Sequence, residues 1–216
     1  MESKIETRYK NVTHSVTFRN IVSKFGLDTK AVLDIGCSYG EFLTHFGLGS
    51  VGLTISKEEM MAGKSRGLDI RVSNIEEETD VSNEKFDVIF ANNILEHMQS
   101  PHNFLLRVKG YLKTDGLLIL GVPCIPYLAP LLHLKKFRGS LTSLHINFFT
   151  RATMIKTVEF AGWEVLEARG FHFLNRFLDY LLIPIYPHFY VVAKVNLGFE
   201  HALKRLKELE GYIVRH

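Results

Sequence analysis

The residues best suited to chemistry lie in one short run, Val32-Leu33-Asp34-Ile35-Gly36-Cys37-Ser38-Tyr39-Gly40-Glu41-Phe42. Three chemistries compete for it. A nicotinamide-type dinucleotide site needs glycines that bring the backbone against a pyrophosphate at a helix N-terminus. Here Ser38 takes the second glycine place and Glu41 the third, where a carboxylate would repel the pyrophosphate. Gly36-Cys37-Ser38-Tyr39-Gly40 also matches the Gly-x-Ser-x-Gly nucleophile elbow. Too little chain precedes it for the strands and oxyanion-hole loop that normally come before such a serine. No later Asp and His pair is marked by its context as the rest of a triad. The third chemistry accounts for more residues. Asp34 at a strand end, then Gly36 and Gly40, suits a cationic ligand that carries no phosphate. Glycines let the backbone pass close without a Cβ in the way, and Asp34 can help hold an ammonium group, directly or through water.

Positioning such a turn takes alternating strands and helices, and the pattern supplies them. Val16–Phe25 carries apolar residues at helical spacing. Ala31–Ile35 is a short apolar run ending in glycines and predicts a buried strand, after which Glu41–Phe46 begins a helix. Val51–Ile55, Asp69–Val72, Phe86–Ala91 and Leu117–Val122 read as further strands, the last announced by the turn residues Asp115-Gly116. Helical segments Lys57–Arg66, Ile94–Met98 and Phe104–Leu112 lie between them. A helix (Arg151–Ala161), a strand (Glu164–Ala168), a final strand (His188–Val195) and an amphipathic tail (Phe199–Leu209) follow. Strands apolar on both faces and alternating with helices imply an α/β, doubly wound parallel sheet. Its ligand belongs at the carboxyl ends of the strands, beside the first one.

The turn resembles motif I of class I S-adenosylmethionine-dependent methyltransferases, which commonly reads Asp-x-Gly-Cys-x-x-Gly. The resemblance continues in order. Gly52-Leu53-Thr54-Ile55-Ser56-Lys57 is similar to the cyclopropane-fatty-acid synthase branch, although the acid usual at the end of strand two is missing. Asn74-Ile75 stands at the family's adenine-edge position, where Asn74 can accept from the exocyclic amine. Phe86 to His97 resembles the strand-four motif, with Leu95-Glu96-His97 its most recognisable part. His145 to Thr150 and Ala161-Gly162-Trp163 look like the carboxy-terminal half of small-molecule methyltransferases of the ubiquinone-biosynthesis type. The resemblance implies a Rossmann-like methyltransferase fold of seven mostly parallel strands, the last antiparallel. The implied cofactor is S-adenosylmethionine, with S-adenosylhomocysteine as product. The implied cofactor contacts are Asp34, Gly36, Cys37, Ser38, Gly40, Thr54, Ile55, Glu59, Asn74, Ile75, Ala91, Asn92 and Asn93.

Methyl transfer from a sulfonium already has a good leaving group, so alignment does most of the work. A base is needed only where the acceptor keeps a proton. His145 and His97 are the candidates for that role. The acceptor is expected to be a small molecule, methylated at oxygen by family resemblance. A lipid carbon acceptor and a non-catalytic cofactor-binding scaffold are the rival readings. Substrate contacts are expected from Tyr127, Phe148 and Phe171, with His133, Phe137, His172, Phe173 and Tyr186 adding aromatic surface.

The 216 residues can bury one large core, so a single domain over 1–216 is expected, with a helical cap at 1–28 and substrate-side inserts at 123–149 and 170–187. The balance of 26 basic against 23 acidic side chains lacks the dense basic face of a nucleic-acid binder, so no nucleic-acid partner is expected. Lys135, Lys136 and Arg138 are the one local basic cluster, suited to an anion or to solvent. Two cysteines, Cys37 and Cys124, make no disulfide framework and show no paired zinc-ligand spacing, so a cytoplasmic protein without metal is expected. The apolar stretches Gly116–Leu134 and Phe177–Val195 contain prolines too dense for spanning helices, which leaves peripheral membrane contact open. A monomer or homodimer fits this composition.

Overall fold

The computed structural model describes residues 4–77, 81, 83–126, 133, 141, 142, 144–170, 177, 181, 182 and 186–200. Its helices are α1 (Lys4–His14), α2 (Val16–Phe25), α3 (Lys57–Lys64), α4 (Pro101–Val108) and α5 (Arg151–Phe160). Its strands are β1 (Val32–Ile35), β2 (Val51–Thr54), β3 (Ile70–Val72), β4 (Phe86–Asn92), β5 (Leu112–Pro123), β6 (Trp163–Arg169) and β7 (His188–Val195). They form one seven-stranded sheet in the order β3-β2-β1-β4-β5-β7-β6. Every pairing from β3 through β5 is parallel, and β7 runs antiparallel to both of its neighbours. The order reverses between β1 and β4, which opens a crevice at their carboxyl ends.

Successive side chains of the central strands enter different cores. Leu33, Ile89, Leu118 and Leu120 pack with Phe104 and Leu105 of α4 and Met154 and Val158 of α5. Val32, Val88, Phe90 and Ile119 pack on the opposite face with Phe18 and Ile21 of α2. Burial on both faces is why these strands read as continuous apolar runs. The helix starts are written locally: Ser15, Ser56, Ser100 and Thr150 each accept a backbone N–H three residues on.

Three expected elements differ. The helix expected from Glu41 shrinks to a 3-10 turn, Leu43–His45. Phe42 and Phe46 turn inward onto Phe18 instead, and Gly47 is pinned by donating to the Leu27 and Lys30 carbonyls. The helix expected over Phe104–Leu112 starts and ends earlier, because Ser100-Pro101 opens it and Leu112 already pairs with β4. Asp115-Gly116 does not precede β5 but lies within it, as an irregularity between the pairs Phe86–Leu112 and Val88–Leu117.

Candidate functional site

β1 carries Asp34 into the interior, where it is 2% exposed and its Oδ2 has no hydrogen-bond partner. Burial, and then the nearby Glu41 carboxylate, hold its carboxyl well above the ordinary carboxylate range. Glu41 is also buried, and Arg8 of α1 donates to its Oε1 at 2.7 Å. Tyr9, one residue on, donates to the Tyr39 carbonyl at 2.6 Å, so α1 lies across the glycine turn. Gly36 and Cys37 both donate to the Leu53 carbonyl at 2.9 Å, which ties the turn to β2. Gly36 has φ of 74°, and a Cβ there would stand 1.9 Å from Ile94 Cδ1. No side chain fits.

Beside this turn is a cavity of about 280 Å³, bounded by Gly36, Ser38, Thr54, Ile55, Glu59, Asn74 and Ile75. All seven were expected at the cofactor. The Glu59 carboxylate accepts from Ser38 Oγ at 2.9 Å and from Thr54 Oγ1. Ser38 therefore donates to a carboxylate. The remaining expected contacts lie elsewhere. Asp34, Cys37 and Gly40 stand behind the wall: Gly52 leaves room for the Cys37 thiol, and Gly40 for Leu68 and Ile70. Burial pushes the Cys37 thiol up, so it packs rather than reacts. Ala91 belongs to the core. Asn74 Oδ1 accepts from the Glu76 N–H at 3.1 Å, which leaves that carbonyl one further lone pair. Ser73, Ile94 and Met98 also line the cavity, as does His97. The apolar residues flanking Leu95-Glu96-His97 were the available signal for Ile94 and Met98.

His97 donates from Nδ1 to the Leu144 carbonyl at 3.0 Å, and its ring meets that of His145 edge-on at 4.8 Å. Neither oxygen of the buried Glu96 has a hydrogen-bond partner, and Oε1 lies 4.0 Å from His145 Nε2. Burial pushes the Glu96 carboxyl up to about 7. Among the described residues, Glu96, His97 and His145 are the group whose ligand atoms, all within 4.8 Å of one another, could hold a metal ion. His145 lines neither this cavity nor the one described next.

A second cavity, about 470 Å³, lies on the other side of the β4 exit, lined by Ser15, Thr17, Asn92, Asn93, Gly170, Tyr186, Pro187, His188 and Tyr190. Asn92 and Asn93 thus line this space and not the first. Asn93 Oδ1 meets His188 Nε2 at 3.0 Å. Desolvation pushes the His188 imidazole down to about 4, so it is neutral at ordinary pH. Sequence reasoning missed His188. The isolated Gly121 inside β5 was the signal, since a glycine in a strand often marks a close approach. Phe148 is half exposed, and Tyr127 and Phe171 lie outside the described residues, as do Phe137, His172, Phe173 and the Lys135, Lys136 and Arg138 cluster.

Residues 9–168 match the family model described as a methyltransferase domain. The chain belongs to that family. The methyltransferase is 27% identical over 167 residues to the ubiquinone biosynthesis O-methyltransferase of Actinobacillus pleuropneumoniae serotype 7, covering 68% of this chain and 71% of that one. The same enzyme of Glaesserella parasuis is 28% identical over 195 residues, with 81% and 78% covered. (S)-Coclaurine N-methyltransferase of Papaver somniferum is 32% identical over 113 residues, with 47% and 32% covered. Among solved structures, an S-adenosylmethionine-dependent methyltransferase from Clostridium acetobutylicum superposes with a TM-score of 0.62 at 12% identity, with 87% and 92% covered. The plantazolicin methyltransferase in complex with SAH superposes at 0.63 and 13%, with 88% and 86% covered. These structures share the fold. The methyltransferase uses S-adenosylmethionine, and among its described residues no helix is long and apolar enough to cross a membrane.

Proposed function

We propose that this methyltransferase transfers the methyl group of S-adenosylmethionine to an oxygen of a small-molecule acceptor. The observation that carries the reading is the cavity at the glycine turn, whose rim holds the Glu59 carboxylate between Ser38 and Thr54. Glu59 would offer from the first turn of α3 the acid that the end of β2 lacks, and that missing acid is one of the two features, with the hydrophobic inserts, that speak for a non-catalytic scaffold. The residues fit the cofactor. Gly36 lets the turn pass closely against Ile94 at the cavity wall, and Asp34 Oδ2 is a buried acceptor without a partner. Thr54 and Glu59 would hold ribose hydroxyls and Asn74 and Ile75 the adenine edge, while Asp34, behind the cavity wall, would reach the ammonium group through water. When bound, the cofactor would supply an electrophilic methyl group with a thioether as its leaving group, and a hydroxyl acceptor would give up its proton to a base or to water.

Oxygen as the acceptor atom is supported by the names of the ubiquinone biosynthesis relatives. Calorimetry with S-adenosylhomocysteine tests the donor side. Labelled S-adenosylmethionine, incubated with the protein and a solvent extract of small molecules, tests the acceptor side. Label in a methyl ether is the expected result; label on carbon, or on macromolecules alone, would overturn the assignment.

A further inference from the structure

The glycine turn is held from two sides. Gly36 and Ser38 border the cavity, while Tyr39 and Glu41 meet α1. Three residues of the turn have a left-handed φ: Gly36 at 74°, Ser38 at 50° and Gly40 at 85°. Ser38 carries a Cβ, so that conformation persists only where the surroundings impose it. In front, its hydroxyl donates to Glu59 at 2.9 Å. Behind, Tyr9 donates to the carbonyl of the next residue, and the Arg8 guanidinium pairs with Glu41 and lies 5.4 Å from the Tyr39 ring centre.

What keeps α1 in place is mostly polar. None of its residues is buried, and Val12 in its last turn is partly buried against the core that α2 shares. Arg66, just past α3, pairs with Glu6 and lies over the Tyr9 ring at 4.4 Å, and Thr13 meets His45 at 3.3 Å. Between α1 and α2 stands Ser15, which is extended and caps α2. The buried Phe18 and Ile21 anchor α2. A helix with few apolar contacts, joined through a non-helical residue to an anchored one, opens more readily than the core. Glu41 makes that opening consequential. It is one of two buried carboxylates at the turn, with Asp34, and Arg8 brings a cation to them from outside. Once α1 leaves, the buried Glu41 charge loses Arg8, and the turn must rearrange to relieve it.

We propose that α1 is a strap hinged at Ser15 that closes behind the glycine turn, and that Arg8 is a positioning residue whose grip on Glu41 keeps the turn in its cofactor-binding form. The proposal rests on the methyl-transfer reading above and adds a moving part to it. Among the described residues, none of Lys4–His14 lines either cavity, so the coupling runs through the turn. Linkage then requires that cofactor and strap strengthen each other equally. Amide hydrogen exchange over residues 4–14 and calorimetry with S-adenosylhomocysteine, both on the full chain, test it. Saturating S-adenosylhomocysteine should slow exchange in α1 at least tenfold. Arg8→Met should weaken S-adenosylhomocysteine tenfold or more and remove that protection, while Arg8→Lys, which keeps the charge, recovers part of both. Adding Glu41→Gln to Arg8→Met should bring the affinity back to within threefold of the parent, because no buried charge is then left unpaired. Slow exchange over β4 shows in each variant that the core is folded. Exchange in α1 indifferent to S-adenosylhomocysteine, an Arg8→Met affinity within threefold of the parent, or a double variant as weak as Arg8→Met would overturn the proposal; the last would mean that Arg8 touches the cofactor itself. Failure of S-adenosylhomocysteine to bind the parent protein would instead sink the donor reading.

Discussion

Replacing Glu59 by Ala should cost the methyltransferase most of its grip on the nucleoside while leaving the fold intact. Glu59 lies near the start of α3, and Ser56 caps that helix through the Glu59 backbone N–H, which the substitution retains. Its carboxylate oxygens each accept one hydroxyl, from Ser38 and Thr54, and each keeps capacity for another. A hydrogen bond to a charged group contributes about 1.5–3 kcal/mol net. Two ribose hydroxyls would therefore contribute roughly 3–6 kcal/mol, and hydroxyls left behind at Ser38 and Thr54 recover part of it. A net loss of about 3 kcal/mol corresponds to a Kd roughly 100-fold weaker. Calorimetry with S-adenosylhomocysteine and its 2′-deoxy analogue makes a double-mutant cycle. Removing the hydroxyl should weaken binding to the parent by clearly more than it weakens binding to Glu59→Ala. If deoxygenation costs the same in both proteins, the carboxylate does not hold the ribose and its assignment is wrong.

Asp34→Asn should stabilise the free protein at pH 8 and weaken S-adenosylhomocysteine. The buried Asp34 carboxyl is raised above its unfolded value, so it favours folding only while protonated, and that contribution is lost as pH rises through the folded pKa. A Tm unchanged or lowered at pH 8, beside an unchanged Kd, would contradict both halves. His188 titrates in the opposite sense. Its folded pKa of about 4 lies below the unfolded value of 6.5, so stability is present above pH 6.5 and is lost as pH falls toward 4, by at most about 3 kcal/mol. Urea unfolding at pH 7.5 and pH 5 should show a smaller pH difference in His188→Gln than in the parent; identical differences would refute the desolvated imidazole.

The sequence by itself determined the alternation of strands and helices, because burial on both faces writes an unbroken apolar run at Val32–Ile35 and Phe86–Ala91. It also determined the glycine turn, since Gly36 is demanded by a local positive φ and an approach that no Cβ survives. Those are properties of single segments. Tertiary structure decided what depends on segments far apart in the chain. Glu59 meets Ser38 only because α3 brings its first turn to the exit of β1. His188 meets Asn93 only because β7 inserts antiparallel beside β5, 95 residues away along the chain from its partner. The shortened helix after the turn followed from Phe42 and Phe46 packing on Phe18, a contact with no local signature. Spacing along a chain records which backbone conformations are needed; it carries no record of which side chains from different strands face one cavity, because strand order and register are fixed by the packing of the whole sheet.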